Sequence, residues 1–231
     1  MRLHTREWGT GDRSALLVHG IMSDSRTWRL VGPALAGRGY RVVAVDLRGH
    51  GRSPRGEYSP RHFADDLVDT LPVGADLALG HSLGGLALSL AVDRLRPLRA
   101  VYADPAWESP DPEQALDPEM FASGKNVTRE HIARSNPRWA AEDVDIEVAT
   151  LADWDADTSY FLDGRPLTGY APTRPAVPSL VQLADPSHLV GADDAARLRA
   201  SGFEVRTVPG AGHTLYRDDF DGFMKSLDGW I

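Results

Sequence analysis

The stretch Leu77-Ala78-Leu79-Gly80-His81-Ser82-Leu83-Gly84-Gly85-Leu86-Ala87-Leu88 limits the folds open to this chain more than any other. An apolar run of strand length meets a glycine-flanked serine and continues at once as an apolar, helix-forming segment. Ser82 must therefore sit at a very tight strand-to-helix turn. Gly80 and Gly84 have no side chains to collide where the backbone folds on itself and strains the serine. Ser82 then projects above the sheet edge at the positive end of the following helix, where developing negative charge is favoured. A Gly-x-Ser-x-Gly sequence also arises by chance in loops, but here strand and helix patterns flank it.

The remaining chain reads as a frame for that turn. Residues 2–8 form a short strand closed by Gly9-Thr10-Gly11-Asp12. Ala15-Leu16-Leu17-Val18 is continuously apolar, as expected of a strand buried on both faces of a parallel sheet, and runs into His19-Gly20-Ile21-Met22. Trp28, Leu30, Val31 and Leu35 mark a helix. Tyr40-Arg41-Val42-Val43-Ala44-Val45 is the next strand and delivers Asp46-Leu47-Arg48-Gly49-His50-Gly51-Arg52-Ser53, a charged turn whose Asp46, Arg48 and His50 we assign to scaffolding. Ser59-Pro60 opens a helix that faces the sheet with Phe63, Leu67 and Leu71. Beyond the central turn, Leu98-Arg99-Ala100-Val101-Tyr102-Ala103 is a strand ending in Asp104-Pro105. Val177-Pro178-Ser179-Leu180-Val181-Gln182-Leu183-Ala184 is another, ending at Asp185. Phe203-Glu204-Val205-Arg206-Thr207-Val208 leads through Pro209-Gly210-Ala211-Gly212 to His213, and an amphipathic segment with Phe220, Phe223, Met224, Leu227 and Trp230 closes the chain. Strands alternating with helices predict an α/β fold, a doubly wound, mostly parallel sheet of six to seven strands.

The alternation breaks over residues 105–175, which divides the chain into a core of 1–104 and 176–231 and an insertion of 105–175. From Asp104 to Arg174 stand fifteen acidic and six basic side chains, a balance of -9 against a formal charge of -8 for the whole chain, so the rest sums to +1. An insertion after a strand at the catalytic edge of such a sheet is expected to be a helical lid. Met22 and the insertion's Trp107, Phe121, Trp139, Trp154 and Phe161 are the candidates for lining a pocket beneath it. The plainer reading is a small helical subdomain whose aromatics only hold it together. The negative charge disfavours nucleic acid as a partner. The absence of cysteine excludes disulfides and thiolate chemistry. With no signal-like or membrane-spanning apolar run, the expectation is a cytoplasmic monomer or homodimer acting on a small hydrophobic molecule, with no membrane partner.

A serine hydroxyl is a weak nucleophile that needs a base, and the base needs an orienting carboxylate. Ser82 is the candidate nucleophile. His213, in a glycine-rich loop after the last strand, is the candidate base. His81 should point away at the turn, and His19 is assigned to holding its loop. Asp185 is the preferred acid, because one helix and one strand separate it from His213; Asp104 is the alternative. Backbone N–H groups of Leu83 and Ile21, with Met22 second to Ile21, are the candidate oxyanion donors.

Taken together, Val18-His19-Gly20, Asp46-Leu47-Arg48-Gly49-His50-Gly51-Arg52-Ser53, Gly80-His81-Ser82-Leu83-Gly84-Gly85 and Gly210-Ala211-Gly212-His213 resemble the α/β-hydrolase superfamily. The likeness is to its small, cofactor-free serine hydrolases with a helical lid. It covers both core segments, with only a loose echo in the insertion at Asn136-Pro137-Arg138-Trp139. It implies a Ser82–His213–Asp185 triad, acyl-enzyme chemistry on an ester or lactone, and no metal or organic cofactor. Alternatives within the resemblance are carbon–carbon bond cleavage or a lyase step, for which Arg134 and Arg138 are the candidate cations, and a ligand receptor with little turnover. A serine at position 82 separates the chain from related haloalkane dehalogenases and epoxide hydrolases, whose resemblance would require an aspartate there. The acid loop Ala184-Asp185-Pro186-Ser187-His188 departs from the superfamily pattern, lacking a glycine three residues before the aspartate.

Overall fold

Strands apolar on both sides must be covered on both faces, and the alternation of their side chains decides which residues go where. The structure, a computed structural model, describes residues 1–108, 117–162 and 165–231; parts of the expected lid, 109–116 and 163–164, lie outside the described residues. Strands β1 (Thr5–Trp8), β2 (Arg13–Val18) and β3 (Tyr40–Val45) precede β4 (Leu77–His81), β5 (Ala100–Ala103), β6 (Ser179–Leu183) and β7 (Glu204–Thr207). They form one seven-stranded sheet in the order β1-β3-β2-β4-β5-β6-β7. Only β1 is antiparallel, capping the edge against β3, and the strand pairs from β3 across to β7 are parallel.

Helix α1 (Val31–Ala36) and the short helices α8 (Leu215–Asp218) and α9 (Phe220–Lys225) cover one face. There Leu17, Ala44, Leu79 and Val101 pack with Trp28, Leu35, Leu215 and Phe223. Helices α2 (Pro60–Thr70), α3 (Leu83–Leu95) and α7 (Ala192–Ala200) cover the other. Leu16, Val18, Val45, Ala78 and Tyr102, the alternate residues of the same strands, meet Phe63, Leu67, Leu86 and Leu198 on that side. Helix α2 starts at a Ser59 cap whose side chain accepts from the His62 N–H, with proline at its first position.

Between β5 and β6 lie α4 (Pro118–Ala122), α5 (Arg129–Ser135) and α6 (Ala141–Asp153). They share a small core of Ile132, Val144, Leu151 and Trp154, against which Ile21 and Met22 of the loop after β2 also pack. Acidic residues of this segment reach arginines of the α/β core. Arg29 grips Asp143 at 2.7 and 2.6 Å, Arg26 binds Asp153 at 2.6 Å and Arg217 pairs with Glu147. Among the described residues no helix is long and apolar enough to cross a membrane.

Candidate active site

Strand β4 hands the chain directly to α3, and Ser82 lies between them at φ 52, ψ -119, a backbone conformation that a side-chain-bearing residue reaches only under strain. The turn closes because its neighbours are bare. A Cβ on Gly80 would stand 2.5 Å from the Gly84 carbonyl oxygen, and one on Gly84 2.3 Å from that of Val18. The main-chain N–H groups of Leu83 and of Ile21 have no acceptor among the described residues. Both residues line the same cavity as Ser82. The loop carrying Ile21 is held from behind by His19, whose Nε2 accepts from the Leu47 N–H at 2.9 Å. That leaves His19 Nδ1 protonated to donate to the Gly20 carbonyl at 2.7 Å. Burial lowers the His19 pKa, which keeps this neutral tautomer. Asp46 accepts from Ser25 N and Arg52 N, and Arg48 pairs with buried Asp66, so both side chains are tied up in the loop framework.

His213 lines the cavity too, and its Nδ1–H donates to Asp104 Oδ2 at 2.7 Å. Asp104 is fully buried and, like Ser82, holds a positive φ, of 42°. Desolvation alone would raise its pKa, but the hydrogen bond and charge of His213, with donors from Ser187 and the Ala184 N–H, outweigh burial and keep the carboxyl below its usual range. Asp185, the acid preferred from the sequence, is not at His213. Its exposed carboxylate accepts from the Gly210 N–H at 3.0 Å and its N–H donates to Ala211 O, so it braces the loop that leads to His213 instead. The sheet explains the difference. His81 pairs with Ala103 in register, which sets Ser82 and Asp104 level on adjacent strands, whereas Asp185 follows β6, one strand further away.

The cavity measures about 430 Å³. Of the residues expected to line it, Met22, Phe121, Trp139 and Phe161 do so. Trp107 and Trp154 do not. Trp107 is buried between Tyr102 and Phe203, its indole N–H on Ser89 Oγ at 3.1 Å. Trp154 is fully buried, its indole N–H on Thr158 Oγ1 at 2.5 Å. Large apolar area draws both into cores rather than onto a cavity wall. Arg134 and Arg138 are exposed and stand outside the lining, and Arg138 binds the Gly210 carbonyl.

Sequence reasoning missed Tyr216, Arg217 and Glu147 of the wall. Helical spacing from His213 could have found the first two; Glu147 arrives only through its ion pair with Arg217. Among the described residues no group of three or more His, Asp or Glu side chains is placed to hold a metal ion.

Residues 15–225 match the alpha/beta hydrolase family, and the chain belongs to it. Among individual proteins, it is 36% identical over 108 residues to an epoxide hydrolase of Caballeronia sordidicola, a match covering 43% of this chain and 32% of that relative's length. Its fold is similar to that of N-formylmaleamic acid deformylase from Pseudomonas putida S16, with TM-score 0.78 and 24% identity over 97% of this chain and 95% of the other. It is also similar to an esterase from Exiguobacterium antarcticum, with TM-score 0.77 and 15% identity over 99% and 94% of the two chains.

Proposed function

We propose that this chain is a serine hydrolase that cleaves a carboxylic ester or lactone of a small to medium hydrophobic substrate, with Ser82 as nucleophile, His213 as base and Asp104 as the orienting acid. The observation that carries this reading is the contact of His213 Nδ1 with a buried, ionised Asp104 at the cavity where strained Ser82 also stands. Asp104 holds the ring proton on Nδ1, so Nε2 is the free base that takes the Ser82 hydroxyl proton as Oγ attacks the carbonyl. The N–H groups of Leu83 and Ile21 receive the oxyanion. Imidazolium His213 then protonates the leaving alkoxide, and the acyl-enzyme is released by water that gives its proton to the same Nε2, which returns it to Ser82 Oγ as the acid departs.

The inserted segment, 105–175, acts as a lid, and Phe121, Trp139 and Phe161 supply apolar contact area for the substrate. Ester chemistry is preferred over carbon–carbon cleavage of an acidic substrate because Arg217, the one arginine among the cavity's described lining residues, has its charge offset by Glu147.

The test is intact-mass detection of a fluorophosphonate adduct, run beside p-nitrophenyl esters of increasing acyl length. The expected result is one adduct per chain on Ser82, turnover of the esters, and loss of both in Ser82→Ala. A folded protein that takes no label would overturn the triad; labelling without turnover would overturn ester hydrolysis and leave the activated serine.

A further inference from the structure

His81 has no task in the reaction just described, yet it is one of the most constrained polar groups in the molecule. It ends β4 immediately before Ser82. From the sequence its side chain should point away. In the structure its Nε2 is 2.9 Å from the main-chain carbonyl oxygen of His213. Its ring lies 4.7 Å from the His213 ring and meets Tyr216 edge-on at 5.3 Å. A carbonyl only accepts, so Nε2 carries the proton and Nδ1 is a bare acceptor. Nδ1 is buried with no partner among the described residues, beside Gly20, where a Cβ would come within 2.9 Å of it. Leaving such a nitrogen unpaired is unfavourable, because a buried acceptor loses its water without gaining a partner. The fold accepts that cost for a single hydrogen bond, the one to the base loop.

We propose that His81 is a positioning residue: its Nε2–H grips the main chain of His213 and so sets the distance between base and nucleophile. The proposal rests on the Ser82–His213–Asp104 reading. Asp104 holds His213 by its ring, and His81 holds it by its backbone. His81 is bonded covalently to Ser82 and its backbone pairs in register with Ala103, the residue before Asp104, so the residue whose ring holds His213 is also fixed in the backbone beside Ser82 and Asp104. A neutral ring performs the task without placing a second cation beside His213. His213, Arg217 and Asp104 are the charged or titrating groups acting on it. Burial first, then the charge of His213, push its pKa down to about 3. It therefore keeps its tautomer while His213 passes between imidazole and imidazolium, and no second cation forms beside the base.

The test compares three variants: His81→Gln, whose amide reaches the Nε2 position; His81→Asn, which is polar but too short; and His81→Leu, which has no donor. For each, kcat and KM on p-nitrophenyl butyrate, the rate of fluorophosphonate labelling at Ser82, and Tm are measured. His81→Leu and His81→Asn are expected to lose kcat and labelling rate by about 10- to 100-fold with KM within about twofold, since misplacing a base by an ångström costs this much. His81→Gln is expected to recover most of the loss. Equal activity in all three variants, whether full or reduced, would overturn the positioning role. Should His81→Leu not fold, the contrast between His81→Gln and His81→Asn decides alone. Wild-type protein that Ser82-directed probes do not label would instead overturn the triad, a separate outcome.

Discussion

The turn at Ser82 and the inserted helices above it reach their positions by different physics. At the turn, most determinants are near neighbours in the chain, Gly80, Gly84 and the strand and helix on either side, with the Val18 and His19 carbonyls of the adjacent strand pressing on Gly84 from outside. Backbone sterics alone force the geometry, and a single added methyl group has nowhere to go. The inserted helices are held by partners far away in sequence. Arg29 to Asp143, Arg26 to Asp153 and Arg217 to Glu147 span 114, 127 and 70 residues, and Trp139 donates to Asp218 at 3.0 Å across 79. The lesson is that a locally determined element shows itself as a motif, whereas a docked one shows only its composition. Part of the insertion's excess of acid is the half of these ion pairs that the core's arginines complete.

The largest expected effect falls on the acid, where local pattern and tertiary geometry disagree. Asp104→Asn should lower kcat by about 10⁴-fold, because His213 then adopts the wrong tautomer. Asp185→Asn should cost less than about 10-fold. Steady-state kinetics on both variants sharpen the comparison, and the reverse ranking would return the acid to Asp185.

Next come the two tryptophans of the insertion. Trp154→Ala should destabilise the fold by about 4 kcal/mol, as expected for emptying a fully buried aromatic site, while leaving the acyl-length preference alone. Trp139→Ala should do the converse, moving the ester chain-length optimum with a stability loss below about 2 kcal/mol. Denaturant melts and an ester series distinguish them; a shifted optimum in Trp154→Ala would place that residue in the cavity wall after all.

Acid should unfold the protein from its core. His50 and His81 are held neutral, their pKa values pushed down to about 3, by burial first and then by the neighbouring His19 and His213 respectively. The unfolded chain takes up protons on these rings near the ordinary value of 6.5. The unfolded state then binds more protons, so stability falls as pH drops below 6.5, by on the order of 3 kcal/mol for the pair at about pH 5.5. A Tm that stays flat from about pH 7 to 5.5 would contradict this.

The smallest effect tests the turn itself. Gly84→Ala brings a Cβ against the Val18 and His19 carbonyls and should cost about 2–3 kcal/mol. A fully stable variant would show that the turn is less rigid than its sterics require.

Much of this protein was legible in its sequence because the information was local. The continuous apolar runs at Ala15–Val18, Val42–Val45 and Leu77–Leu79 read as strands covered on both sides, and each is. Glycines around Ser82 and before His213 mark turns that other residues could not make. The aromatics of the insertion were legible only as a class, since composition does not say which ring faces a cavity and which fills a core; Trp107 and Trp154 went inward. The choice between Asp104 and Asp185 was not local at all. Both end apolar strands, and only the lateral order of the sheet, with β5 beside β4 and β6 beyond it, decides which carboxylate comes level with Ser82 and beneath His213. Neighbours along the chain determined the turn and its serine; neighbours across the sheet, joined by hydrogen bonds that no spacing rule records, decided what stands around them.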